Sequence, residues 1–352
     1  RTWSAAPKVP IAAEEAAEEA VEEDVAVEEE VGRSAPSATG GPPKKRARKS
    51  REANAVVALK KTVCEVVFRT AQSFDMHLIS GPCSPESDVV CCRGAGVIID
   101  AQAGFILTDR VTVPQPLGDI EVTLGDDTRS ASVWFMHPLH SLVVLRLDSA
   151  KDGEEGFGQA ATFEERLIEV GEECDLVGVD VQGRSYSTQV KVQAVREGNF
   201  PTAWPPRWHE SNLESVIFEN APQDVHSGVV CGSRGQIYAL FATAVQVGED
   251  QSVHLPYGIP VQAFLPLVEL VRSCGRGGSE PRVPSLEVML KSAELPKLRR
   301  TSLSAKHRPS SKWLSQLSEA GGIALEVTGV TSKGPLDGHA DKGDLLVAMA
   351  GG

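Results

Sequence analysis

No stretch of this 352-residue chain approaches the roughly 18 consecutive apolar residues that a membrane-spanning helix needs, so no such span is expected. Nor does its start have the basic and then apolar shape of a secretory signal. The chain opens on Arg1 rather than Met and is expected to be an internal fragment. The seven cysteines, Cys64, Cys83, Cys91, Cys92, Cys174, Cys231 and Cys274, include no CxxC pair. That excludes the usual zinc spacings. Cysteines inside apolar runs, such as Cys231 after Val229-Val230, read as small buried hydrophobes in a reducing compartment. Aromatic residues make up only 5% of the chain against 41% hydrophobic, so the core is expected to be built of Val, Leu, Ile and Ala. An excess of positive charge is lacking too. The formal net charge of -13 argues against the whole chain binding nucleic acid.

What charge there is lies unevenly. Residues 1–31 hold ten acidic and two basic side chains, whereas residues 33–52 hold seven basic and one acidic. A helix over the acidic part would stack like charges at i and i+4, as in Glu14/Glu18 and Glu15/Glu19. Residues 1–56 are therefore expected to be a disordered linker, acidic and then basic. From Ala58 onward, short β-branched runs alternate with turn residues. Strands are expected at 63–68, 76–80, 95–100, 105–108, 119–124, 130–136, 142–147, 174–179, 185–195, 213–218, 228–231 and 236–242. Val261, Phe264, Leu265, Val268 and Val271 have helical spacing, which predicts a helix over 261–274. Arg276-Gly277-Gly278-Ser279 reads as a linker. Beyond it, a strand is expected at 286–290 and a helical region near 311–317, and two apolar runs follow at 323–330 and 344–350.

Gly94-Ala95-Gly96 is followed by a strand pattern where a dinucleotide loop would open a helix, and no cofactor is expected. His137 and His140 have no evident third ligand, read as a turn pair near the surface, and imply no metal. A more specific series begins with Gly94-Ala95-Gly96-Val97-Ile98-Ile99-Asp100 and Gly104-Phe105-Ile106-Leu107-Thr108-Asp109-Arg110-Val111-Thr112-Val113. His137-Pro138-Leu139-His140-Ser141-Leu142-Val143-Val144-Leu145 follows, and then Asp224-Val225-His226-Ser227-Gly228-Val229-Val230. Tyr257-Gly258-Ile259-Pro260-Val261 closes it. In this order and spacing the blocks resemble the protease domain of HtrA/DegP-type serine proteases. That resemblance implies an all-β, trypsin-like double six-stranded barrel over residues 57–275, ending in a helix. It places the catalytic His at Val111, the Asp at Ser141, and the Ser at Val225 or, with a two-residue gap, at Ser227. Because that chemistry needs a His base beside the Ser and an Asp to orient it, no catalytic residue is expected here. The three sites are expected to converge where the barrels meet, with Val111 and Ser141 in contact. Adjacent residues of extended chain point to opposite sides, so neither His140/Ser141 nor His226/Ser227 forms a natural dyad.

Ala324-Leu325-Glu326-Val327-Thr328-Gly329-Val330 and Lys342-Gly343-Asp344-Leu345-Leu346-Val347-Ala348-Met349 resemble a PDZ pattern, so residues 283–352 read as the N-terminal part of a truncated α+β PDZ domain. The degenerate protease half of the large nuclear tandem members of the family is the most similar branch. The function implied is a non-catalytic binding or scaffolding module of a larger nuclear serine protease. The alternative is an active endopeptidase with a relocated site or an upstream catalytic half. Lys44, Lys45, Arg46, Arg48 and Lys49, after a Pro pair, suit a nuclear-import peptide. The expected location is the nucleus, otherwise the cytoplasm. Expected partners are peptide or protein ligands, an import receptor and further copies of the chain, with neither membrane nor nucleic acid among them.

Overall fold

Twelve of the strands close into two six-stranded antiparallel barrels. The structure is a computed structural model, and it describes residues 57, 59–71, 89–148, 156–180, 182–198, 210–222, 225–247, 252–275, 281–293 and 324–346. The expected linker at 1–56, the strand at 76–80 and the helical region at 311–317 lie outside these residues. The first barrel runs β1 (Val63–Ala71), β2 (Val89–Asp100), β3 (Phe105–Thr108), β4 (Asp119–Leu124), β5 (Asp127–Met136) and β6 (Val143–Leu147). Its spatial order is β1-β2-β3-β6-β5-β4. The second comprises β7 (Glu173–Asp180), β8 (Ser185–Glu197), β9 (Glu214–Glu219), β10 (Val225–Cys231), β11 (Ile237–Val247) and β12 (Ser252–Pro260), ordered β10-β11-β12-β9-β8-β7.

Local chemistry explains the joints. Between β2 and β3, Asp100 Oδ1 accepts from the backbone N–H groups of Gln102 and Ala103. Gly104 then takes φ +71°, a left-handed turn that suits glycine. β3 is buried at every position, as a short apolar strand held on both flanks should be. Three apolar clusters organise the interior. Val66, Phe68, Ile98, Ile106 and Leu145 fill the first barrel, and Leu176, Val192, Val216, Val230 and Phe241 fill the second. The third cluster joins them: Ile99, Phe105 and Leu142 from the first barrel, Val229 and Ile237 from the second, and Phe264, Val268 and Val271 of α1 (Val261–Cys274). From α1, Arg272 donates to Ile99 O at 2.8 Å and to Ala161 O at 2.9 Å, so the helix ties the seam from outside.

A three-stranded sheet follows, β13 (Val288–Ala293), β14 (Ala324–Val330) and β15 (Leu345–Leu346), in that order. β13 starts two residues later than expected because Glu287 sits at φ +53° and the pairing with β14 slips between Met289 and Leu290. Among the described residues no helix is long and apolar enough to cross a membrane.

Candidate functional site

The residues after β3 leave the barrel as one helical turn, in which Val113 N donates to Asp109 O at 3.0 Å. Asp109 caps that turn from within. Its Oδ1 accepts from the N–H groups of Val111 and Thr112, both at 2.8 Å, and its Oδ2 accepts from Thr112 Oγ1 at 3.0 Å. An acidic residue bonding two or three positions ahead is the ordinary chemistry of a helix start. The unusual feature is where this cap lies. Asp109 is only 3% exposed, and its Oδ2 also accepts from Ser227 Oγ of the second barrel at 2.5 Å. Ser227 Oγ reaches Ala95 O at 3.3 Å as well. Burial pushes the Asp109 carboxyl above its usual range, opposed by the bonds from Ser227, Thr112 and Val111.

β2 and β10 come this close because of Gly94. A Cβ at that position would lie 2.0 Å from Thr112 Oγ1 and 3.0 Å from Ser227 Cβ. The predicted nucleophile loop is a strand: β10 pairs with β7 from Val225 and with β11 from Ser227. The two serine-site candidates now separate. Val225 is buried in the interior cluster of the second barrel, whereas Ser227 faces the Asp109 turn.

A second carboxylate bridges in the opposite direction. Glu210 precedes β9 and is 4% exposed. Its Oε2 accepts from Ser141 N at 2.7 Å and from Tyr257 OH at 3.3 Å, and its Oε1 lies 2.7 Å from His140 Nδ1. Burial, then the nearby Glu210 charge, raises the Tyr257 phenol well above its usual value. Ser141 Oγ accepts from Arg110 N at 3.2 Å, which places Ser141 beside the turn that carries Val111. The turn before Ser141 is built on His137, whose Nδ1 accepts from the N–H groups of Leu139 and His140. His137 is buried and stacks on His140 with ring centroids 4.8 Å apart. This corrects the expectation of a surface pair. Burial, with the charges of His140 and Arg110, lowers His137 to about 4.

The structure thus brings the turn that carries Val111 beside Ser141 and Ser227. It adds Asp109 and Glu210, which the sequence reading did not single out. A lone acid in the apolar run from Phe105 to Val113 was the available signal for Asp109. Glu210 had none, since its partners lie about seventy residues away. Chemically, Ser227 has a buried carboxylate for a neighbour where a serine nucleophile requires an imidazole. His140 has the orienting carboxylate of such a pair, yet among the described residues no serine hydroxyl bonds to it. No group of three or more His, Cys, Asp or Glu among the described residues is placed to hold a metal.

No protein-family model matches the chain. Among curated proteins, it is 26% identical over 161 residues to the pro-apoptotic serine protease NMA111 of Eremothecium gossypii, covering 45% of this chain and 16% of that protein. It is 28% identical over 175 residues to the PDZ domain-containing protein C23G3.12c of Schizosaccharomyces pombe, covering 48% and 18%. The match thus spans under a fifth of the length of these relatives. Among solved structures, the HtrA-type protease AlgW with decapeptide superposes with a TM-score of 0.51 at 18% identity, covering 81% of each chain. With two closed barrels and a closing helix, the chain has the HtrA-type protease fold and is similar in sequence to HtrA/DegP-type PDZ serine proteases.

Proposed function

We propose that this chain is a non-catalytic binding or scaffolding module of an HtrA/DegP-like protein, carrying part of a PDZ domain and belonging to a larger nuclear serine protease. The observation that carries this reading is the bond between Ser227 Oγ and Asp109 Oδ2. The hydroxyl proton points at a buried carboxylate that already accepts three other donors. The acceptor of the Ser227 proton is thus a carboxylate that caps a turn, where acyl transfer by this fold needs an imidazole base. Two further features support it. Ser227 is 2% exposed, which leaves little room for an acyl group. From Ser227 onward β10 is also paired along both edges, which commits the N–H groups of that stretch to neighbouring strands.

The test is a fluorogenic-peptide and casein assay together with a covalent serine-hydrolase probe. We expect turnover at background level and no difference between the wild type and Ser227→Ala, because a missing general base typically costs roughly 10²–10⁴-fold or more. Stoichiometric labelling of Ser227 would overturn the reading. The rival is an endopeptidase, in an upstream half or relocated to His140, whose Nδ1 faces Glu210 as a triad His faces its Asp. Turnover abolished by His140→Ala would favour it.

Nuclear placement rests on Lys44, Lys45, Arg46, Arg48 and Lys49, which lie outside the described residues. Residues 33–56 fused to a fluorescent protein should concentrate in nuclei, and Ala at Lys44, Lys45 and Arg46 should abolish this. Cytoplasmic fluorescence from the unmutated fusion refutes the assignment. Within this reading the partners are peptide or protein ligands, an import receptor and further copies of the chain.

A further inference from the structure

The sheet formed by β13, β14 and β15 has β13 at one edge. An edge strand presents unpaired N–H and C=O groups and is a template for another strand. Here those groups are engaged by side chains of the second barrel. Asn212 Nδ2 donates to Val288 O at 2.7 Å, and Asn212 Oδ1 accepts from Leu290 N at 2.8 Å. Two residues on, Ser292 N donates to Glu197 Oε2 at 2.5 Å. Residues 288, 290 and 292 alternate along the strand, so their free backbone groups share one edge, the one turned away from β14.

The chemistry of this contact is that of a neighbouring strand. A primary amide carries one acceptor and a donor pair. Bonded to the C=O of one residue and the N–H of the residue two further on, it repeats what the backbone of a paired residue supplies. Asn212 is held at φ +54°, a region uncommon for residues other than glycine though tolerated by Asn. Glu197 is the last residue of β8 and extends the same row by one bond. On the face of β13, Met289 is 51% exposed and Lys291 is exposed, so side chains on an added strand would find both an apolar and a cationic neighbour.

We propose that Asn212 and Glu197 form a side-chain mimic of a β-strand that keeps the outer edge of β13 closed to an extended peptide. This rests on the reading of the chain as a binding module. An incoming peptide supplies the same acceptor and donors from its backbone and displaces the two side chains. Binding is therefore weakened by an intramolecular competitor, and anything that withdraws the Asn212 and Glu197 side chains opens the edge.

The experiment uses the full chain, with an end-capped, fluorescein-labelled octapeptide of alternating Val and Thr as the probe. Hydrogen exchange is followed at Leu290 and Ser292, and peptide binding by anisotropy. In the Asn212→Ala/Glu197→Ala double variant, these amides should exchange at least about tenfold faster, and the peptide should bind at least about tenfold more tightly than to the wild type. Added peptide should protect both amides again. Equal affinity for wild type and variant overturns the proposal, as does binding that leaves Leu290 and Ser292 unprotected. Should the double variant not fold, as judged by circular dichroism, Asn212→Asp and Glu197→Gln carry the test, because each removes or weakens one part of the row. Each should tighten binding roughly threefold, and no change in either refutes the mimic. Peptidase activity is measured on the same samples. Turnover there would refute the non-catalytic reading and leave the edge result intact, whereas unchanged affinity without turnover refutes only the mimic.

Discussion

Asp109 accepts from two backbone amides and two hydroxyls while 3% exposed, and its protonation state decides how the barrels are joined. If ionised, it receives the Ser227 proton. If protonated on Oδ2, it donates to Ser227 Oγ, which passes its own proton to Ala95 O. Asn can reproduce the second pattern, with Oδ1 facing the amides and Nδ2 facing Ser227. Because burial raises the folded-state pKa above the ordinary 3.8, the folded protein holds this proton more tightly than the unfolded chain. The stability contributed is full below 3.8 and lost as pH rises through the raised value. Asp109→Asn does not titrate, so it should gain stability relative to the wild type as pH increases from about 4 to about 8. Urea midpoints across that range measure it, and parallel curves for the two proteins contradict the argument. Val111, Ser141 and Ser227 were mapped from the family resemblance, which marks the triad positions and not the residues around them. Asp109 and Glu210 were not. A capping acid is a common local feature of helix starts, and only the tertiary approach of a second barrel turns this one into a bridge.

At the scale of elements, the existence of β1 to β11 was legible and their extent was not. β4 shows why the first holds: Asp119–Leu124 alternates, with Ile120 and Val122 buried. β2 shows why the second fails. Apolar alternation begins at Ala95, yet the strand starts at Val89, because pairing with β1 holds Val89 to Arg93 whatever their side chains. β12 was not among the expected strands, because it begins at Ser252 in polar sequence and is carried by its pairing with β11. The Gly94-Ala95-Gly96 run, weak as a motif, has its explanation in this packing, since β2 must pass against both Thr112 and Ser227. Gly94→Ala puts a methyl 2.0 Å from Thr112 Oγ1 and should cost about 2–3 kcal/mol. Thr112→Ser keeps that hydroxyl and relieves nothing, whereas Thr112→Ala in the Gly94→Ala background should restore part of the loss. Thermal unfolding of the four proteins forms a double-mutant cycle, and strict additivity refutes the close approach as the cause.

The whole molecule has two means of holding its barrels together, and their magnitudes predict how it unfolds. One is polar and reciprocal: Asp109 of the first barrel receives Ser227 of the second, and Glu210 of the second receives Ser141 N and faces His140 of the first. Truncating either acid strands buried donors and should cost roughly 1–3 kcal/mol. The other is the apolar seam, in which Val97, Ile99, Phe105, Leu107, Leu142 and Val144 share one cluster with Val177, Val229, Ile237 and Leu240, and with Phe264, Val268 and Val271 of α1. Each such side chain, fully buried, contributes about 1.5–3 kcal/mol, so the seam amounts to tens of kcal/mol in gross terms and outweighs both bridges. The bridges fix orientation, and the seam couples the barrels. The double variant Asp109→Ala/Glu210→Ala should therefore melt at a lower temperature and still unfold in one cooperative step, with calorimetric and van't Hoff enthalpies in agreement. Phe264→Ala, with both carboxylates intact, removes an aromatic ring from the seam where the helix meets the barrels and should cost about 3–5 kcal/mol, more than either single acid truncation. Two resolved transitions in the carboxylate double variant, with Phe264→Ala remaining cooperative and stable, would reverse the ranking and make the polar bridges the true joint between the barrels.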